Sequence, residues 1–190
     1  MKGIEDEIEQ AVQALRNGKV ILYPTDTVWG LGCDATNSRA VERLFRIKRK
    51  KEQGRLIALI DSPARLSKYL SEVPDLALDL IQYAANPISI VFPRGKNLAK
   101  NMLGADGSVC FRVTNDPFCI ALVERFDKPV ASGSANLSGQ PTPLFFAAIS
   151  SEIIQAVDHV VKLNQDKVLS TKATSIIRLE PDGQFSIIRT

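Results

Sequence analysis

Histidine is all but missing: His159 is the only one in 190 residues. A Ser-His-Asp hydrolase, a His-rich zinc site or a di-iron bundle needs partners that this chain lacks. Cysteine is scarce as well. Cys33, Cys110 and Cys119 are an odd number without CxxC spacing, which points to reduced thiols in a cytoplasm. No apolar run approaches the roughly 20 residues of a membrane span. The opening MKGIEDEIEQAVQAL is acidic and amphipathic, wrong for a secretory signal or a mitochondrial presequence. No GxxxxGK[ST] loop occurs, which removes a P-loop NTPase. With one tryptophan and 6% aromatic residues, base stacking is a poor main mode of binding nucleic acid. There is no internal repeat, low-complexity tract or Pro/Ser linker.

What remains is ordinary for a soluble globular protein: 45% hydrophobic, 24% charged, mean hydropathy −0.01. The length suggests one domain, 1–190, able to bury roughly 70% of its unfolded surface without disulfide or metal. The net charge is +3, but it is unevenly spread. Arg43, Arg46, Lys48, Arg49, Lys50, Lys51 and Arg55 face a single acid, Glu52. Such a patch attracts phosphate, nucleotide or nucleic acid; a solvated helix end is the competing explanation.

Ile4, Ile8, Ala11, Val12 and Leu15 recur at helical spacing and predict a helix from about Ile4 to Asn17, stopped by Gly18. Strand Lys19–Tyr23 follows, then the loop PTDTVWGLG. A helix begins at Ser38 as N-cap and runs into the basic segment. Arg55–Ile60 reads as a strand, Ser62-Pro63 as a short helix start, and Pro74 to Ala84 as a helix. Strands Ile88–Phe92 and Ser108–Val113 enclose an irregular stretch. Asp116-Pro117 opens a helix to about Phe126, and strand Pro129–Ser134 leads into a loop. A helix over about Ala147–Val157, strand HVVKL, and a hairpin TSIIRL-EPDG-QFSIIR complete the chain. The pattern is α/β with an open, twisted, mixed sheet and flanking helices.

Gly30-Leu31-Gly32-Cys33-Asp34-Ala35 fits a dinucleotide GxGxxG/A loosely, yet the region where a ribose-binding acid belongs is KRKKEQGR. Two other loops are more telling. Tyr23-Pro24-Thr25-Asp26-Thr27-Val28-Trp29-Gly30 sets two hydroxyls and a carboxylate beyond a strand end, suited to a small polar ligand such as an amino acid, or simply to a capped turn. Ser132-Gly133-Ser134-Ala135-Asn136-Leu137-Ser138-Gly139 lets backbone amides approach a phosphate, with Ser134 and Asn136 adding small hydrogen-bonding groups. A nucleophilic serine needs a base nearby, and His159 has no motif around it; it reads as a strand-edge residue.

YPTDTVWGLGCDA, IKRKK followed by RLIAL, FRV-T-NDPF and ASGSANLSGQPTP together resemble the YrdC-like threonylcarbamoyl-AMP synthases in order and spacing. The likeness runs through TSIIRL…IIR and so spans nearly the whole chain, in the short, single-domain form of that family. It implies a sheet enclosing a deep, positively lined cleft. It also implies condensation of L-threonine, bicarbonate or CO2 and ATP into threonylcarbamoyl-AMP, with pyrophosphate released, for N6-threonylcarbamoyladenosine in tRNA. The family's Lys-x-Arg and Ser-x-Asn tetrad falls on Lys48, Lys50, Ser134 and Asn136 as catalytic residues. Lys50 stands where the family has arginine, with the loss of a bidentate fork; Lys51 replaces a proline and Leu59 a histidine. ATP contacts carry over to Lys48, Lys50, Gly54, Ser108, Ser134, Asn136, Thr142 and Arg189. Threonine contacts carry over to Thr27, Arg112, Ser132 and Thr174, with Arg112 matched to the substrate carboxylate.

The implied chemistry is positioning and charge neutralisation at the α-phosphorus by Lys, Arg, Ser, Asn and backbone amides. Mg²⁺ would come with ATP and need no protein cage. Implied partners are ATP, L-threonine, bicarbonate and downstream threonylcarbamoyl-transferase proteins, with tRNA or double-stranded RNA left open and no membrane. Two alternatives stay beside this one: an inactive paralogue, and an RNA-binding module using the same basic cleft with steep salt dependence.

Overall fold

The computed structural model describes residues 2–50, 56–169, 174–180 and 184–189; the side chains of Lys2 and Arg189 lie outside the described set. The chain runs α1 (Lys2–Arg16), β1 (Ile21–Tyr23), β2 (Gly30–Asp34), α2 (Ser38–Ile47) and β3 (Ile57–Ile60). A 3₁₀ turn (Pro63–Arg65), α3 (Leu66–Tyr69), α4 (Asp75–Tyr83), β4 (Ile88–Phe92) and a second 3₁₀ turn (Lys100–Met102) follow. Then come β5 (Val109–Val113), α5 (Pro117–Phe126), β6 (Val130–Ser134), a third 3₁₀ turn (Phe146–Ala148), α6 (Ser151–Ala156), β7 (His159–Val160), β8 (Ser175–Leu179) and β9 (Phe185–Arg189).

The strands form one nine-stranded mixed sheet in the order β7-β1-β2-β6-β3-β5-β4-β8-β9. Parallel pairs are β1/β7, β3/β5 and β4/β8; the others are antiparallel. The period of two along each strand splits the core in two. Ile21, Tyr23, Leu59 and Val130 join Ile8, Val12 and Leu15 of α1 and Phe118, Leu122 and Phe126 of α5. Their neighbours Val20, Leu22, Ala58, Ile60 and Ala131 join Val41, Leu44 and Phe45 of α2, with Leu66, Ala77 and Ile153, on the other face. Each fully buried aliphatic or aromatic side chain contributes about 1.5–3 kcal/mol.

Several expectations are met closely. Strand β4 has the predicted bounds, Asp116 caps α5 by accepting from the Cys119 amide at 2.8 Å, and β8 and β9 form a hairpin. Its Pro-Asp-Gly turn, 181–183, is outside the described residues.

Four readings change. Gly30–Asp34 is a strand and not a loop, paired with β1 and β6. Its glycines lie against the Tyr23 ring: a Cβ on Gly32 would come within 2.8 Å of Tyr23 Cε1 and 2.9 Å of Val130 Cγ1. The GxG pattern is therefore a packing requirement, and the dinucleotide-loop reading falls. Helix α2 is capped by Asn37, whose side chain accepts from Arg39 and Ala40, and not by Ser38. The helix expected over 147–157 divides into a 3₁₀ turn and a six-residue α6. Of HVVKL, only His159 and Val160 pair as strand.

Candidate functional site

Cross-strand partners project to the same side of a sheet. Leu59 pairs with both Val130 and Arg112, and Ile57 pairs with Ser132, so Arg112, Ser132 and Ser134 share the α1/α5 face. On β4, Ile90 pairs with Phe111, which puts Ser89 on that face too. A polar row thus crosses the sheet where the apolar packing under α1 and α5 ends.

Arg112 lies in an interior strand and is 6% exposed, so it is not an arginine of the sheet's surface rim. Its Nη1 donates to Thr27 Oγ1 at 3.1 Å and its Nη2 to Asp26 Oδ1 at 2.5 Å. The loop that meets it is folded by Thr25, whose Oγ1 accepts from the amides of Thr27 (3.1 Å) and Val28 (3.2 Å) and donates to Val28 O (2.7 Å). The capped-turn reading of the PTDT segment holds: Thr25 makes the turn, and that turn presents Asp26 and Thr27 to Arg112. The Tyr23 hydroxyl is 2.6 Å from Ser132 Oγ. Complete burial drives the Tyr23 phenol far above its usual range, so it stays protonated. Thr174 is buried with Oγ1 3.3 Å from Ser89 Oγ.

The second cluster forms at the end of α2. Lys48 is its C-cap, and its aliphatic stem passes over Gly133, where a Cβ would lie 3.4 Å from Lys48 Cδ and Cε. The ammonium donates to the carbonyls of Ser134 and Asn136, the latter at 2.8 Å. Lys48 O in turn accepts from the Ser138 amide at 2.8 Å, so one residue clamps the loop at both ends. Ser134 Oγ donates to Asn136 Oδ1, and Asn136 Nδ2 donates to Gln140 O at 2.6 Å. Burial, helped by the charge of Lys50, pushes the Lys48 amine down to about 8.

The solvated-helix-end explanation survives only for part of the basic segment. Arg43 pairs with Asp158, and Arg49, with a left-handed φ of 51°, turns out to Glu152 at 2.6 Å. The amide of Lys50 donates to Phe45 O at 2.9 Å, keeping the residue against the helix end. Ser108 is buried and tied to Asp106 through Oγ (2.5 Å) and N (3.0 Å). Thr142 lies in an exposed loop. Gly54 lies outside the described residues, as does the side chain of Arg189, whose backbone pairs with Ile176. Leu59 is buried in the α1/α5 cluster. His159 lies on the edge strand, half-buried, with Glu7 Oε2 3.9 Å from Nε2.

Two features escape the sequence: that the loop carboxylate, Asp26, is paired with Arg112, and that Tyr23 reaches Ser132, its only signal being the pair of glycines beneath its ring.

Residues 13–190 match the Sua5/YciO/YrdC family model, described as "Telomere recombination". The chain is 39% identical over 160 residues to the threonylcarbamoyl-AMP synthase of Pseudoalteromonas translucida, covering 83% of this chain and 86% of the relative. Among solved structures it resembles P. abyssi Sua5 complexed with L-threonine, with a TM-score of 0.84 and 26% identity. That match covers 96% of this chain but 53% of Sua5, so the chain spans about half of that protein. E. coli YciO matches with a TM-score of 0.83 and 27% identity, over 96% of this chain and 87% of YciO.

Proposed function

The chain belongs to the Sua5/YciO/YrdC family, and from that premise we propose that it is a threonylcarbamoyl-AMP synthase. The observation that carries this reading is the buried contact between Arg112 and Thr27, on the sheet face that also bears Ser132. A guanidinium there suits a substrate carboxylate, and hydroxyls around it suit a small polar side chain. We assign Thr27, Arg112, Ser132 and Thr174 to L-threonine. To ATP we assign Lys48, Lys50, Gly54, Ser108, Ser134, Asn136, Thr142 and Arg189.

In this mechanism the threonine amine and CO2 give a carbamate and a proton. A carbamate oxygen attacks the α-phosphorus, a P–O bond forms, and the bond to pyrophosphate breaks. This is nucleotidyl transfer, and the chain's part is to align the carbamate and neutralise phosphate charge. Lys48, braced by two carbonyls, supplies a fixed cation. The donors at the site are amine, guanidinium, hydroxyl and amide, and among the described residues no group of three or more His, Cys, Asp or Glu could hold a metal. That set fits Mg²⁺ delivered on the nucleotide with most of its waters.

The nine strands from Ile21 to Arg189 in one sheet support reading 1–190 as one YrdC-like unit. No helix among the described residues is long and apolar enough to cross a membrane. We further propose a cytoplasmic enzyme whose product is passed by downstream transferases to tRNA adenosine. The test is incubation with ATP, L-threonine and bicarbonate. Pyrophosphate and threonylcarbamoyl-AMP are expected, and both must vanish without threonine. ATP cleavage indifferent to threonine overturns the reading.

A further inference from the structure

We propose that Asp26 binds the α-ammonium group of the amino-acid substrate, and that the Asp26–Arg112 ion pair is exchanged for two substrate ion pairs when the amino acid enters. The substrate's identity rests on the synthase reading above; the role of Asp26 rests on the geometry of the pair.

Arg112 is 6% exposed, and the Asp26 side chain 19%. Their contact of 2.5 Å uses one oxygen and one nitrogen. Asp26 Oδ2 and Arg112 Nε are both buried without a hydrogen-bond partner among the described residues. A half-satisfied buried ion pair is costly, and it leaves acceptor and donor capacity side by side. The pair is neutral as a unit. An α-amino acid is also neutral, with a carboxylate and an ammonium on adjacent atoms. Exchange gives Arg112 a carboxylate and Asp26 an ammonium, so no net charge enters the low-dielectric site. Thr27 adjoins Asp26 and already contacts Arg112, and the Thr25 turn fixes the backbone of both. A rotation about the Asp26 Cβ–Cγ bond brings either oxygen to the incoming group.

Asp26 would then set specificity for the α-amino group, since a ligand without it leaves the carboxylate unpaired. The bland alternative is that Asp26 only braces Arg112. Titration calorimetry with L-threonine and its desamino counterpart, 3-hydroxybutanoate, separates the two on wild-type, Asp26→Asn and Asp26→Ala proteins. Wild type should prefer threonine by about 30-fold or more. Asp26→Asn should lose roughly 10- to 100-fold in threonine affinity, while 3-hydroxybutanoate binds as well as to wild type or better, because no carboxylate is left unpaired. ATP affinity and the melting curve report folding. Equal losses for both ligands, or unchanged threonine affinity, overturn the proposal alone. Should neither variant fold, the wild-type comparison decides, and discrimination below about threefold overturns it. A wild-type protein that binds no threonine overturns the synthase reading and this one with it.

Discussion

The hydroxyl of Tyr23 lies 2.6 Å from Ser132 Oγ, with the tyrosine ring laid across Gly30 and Gly32. Strand β1 thereby fixes the rotamer of a serine two strands away, on the face where threonine is proposed to bind. Tyr23→Phe keeps the packing and removes one hydrogen bond. Stability should fall by about 1 kcal/mol and threonine affinity by roughly 3- to 10-fold. Titration and thermal melts check both. Threonine affinity equal to wild type would mean that Ser132 needs no support.

Lys48 should make ATP binding sensitive to pH. Its amine is depressed to about 8 from an ordinary value of 10.5. Between these values the unfolded chain holds a proton that the folded one has released. Stability from this group therefore rises as pH increases from about 8 towards 10.5, and below 8 the folded state bears the cost of burying a charge. The phosphate cation is lost over the same window. ATP affinity should be flat below about pH 7.5 and fall up to tenfold per unit above 8. Lys48→Ala should bind weakly throughout, without that inflection. Nucleotide titrations from pH 6.5 to 9.5 decide.

Gly133→Ala sets a methyl 3.0 Å from Leu56 Cδ2 and 3.4 Å from the Lys48 stem. Leu56 must give by a few tenths of an ångström, while the Lys48 stem is in ordinary contact and keeps its hold on the Ser134 and Asn136 carbonyls. Overpacking should cost roughly 1–3 kcal/mol of stability, read by a thermal melt, with ATP affinity changed less than about threefold. A tenfold loss of ATP affinity would mean that the methyl displaces Lys48 after all.

Ser134→Ala and Asn136→Ala should each weaken ATP binding or turnover by roughly 1–3 kcal/mol. For Asn136 part of that loss is the loop itself, because its amide also holds Gln140 O. Lys50→Arg should preserve or raise activity and Lys50→Ala lower it. Steady-state kinetics on the four proteins, each with a melting curve, test these assignments.

Much of the fold is legible in the chain because periodicity and caps agree there. Strand β4 is a plain run of ISIVF, and α5 begins with Asp-Pro and carries its apolar stripe inward. Strand β2 is hidden because Gly-Leu-Gly-Cys-Asp has little intrinsic preference for extension. Only the ring of Tyr23 and pairing on both sides make it a strand. The site divides in the same way. Ser134, Asn136 and Lys48 announce themselves through small polar residues and clustered charge. That Lys48 turns inward while Arg49 turns out to Glu152 follows from a left-handed residue at the helix end, which no charge count reveals. The burial of Arg112 is equally silent, for nothing local distinguishes an arginine inside a sheet from one on its rim.

The three thiols can be put to use as clocks. Cys33 belongs to the core under α2, Cys119 to the core under α1 and α5, and Cys110 lies in strand β5 on the face of Arg112, all three buried and free of disulfides. Burial drives the Cys33 and Cys119 thiols well above their usual range. A thiol reagent therefore reacts only as often as the molecule opens. Equal labelling rates at Cys33 and Cys119 would time a single opening of both halves of the interior. Unequal rates would reveal which side of the sheet lets go first.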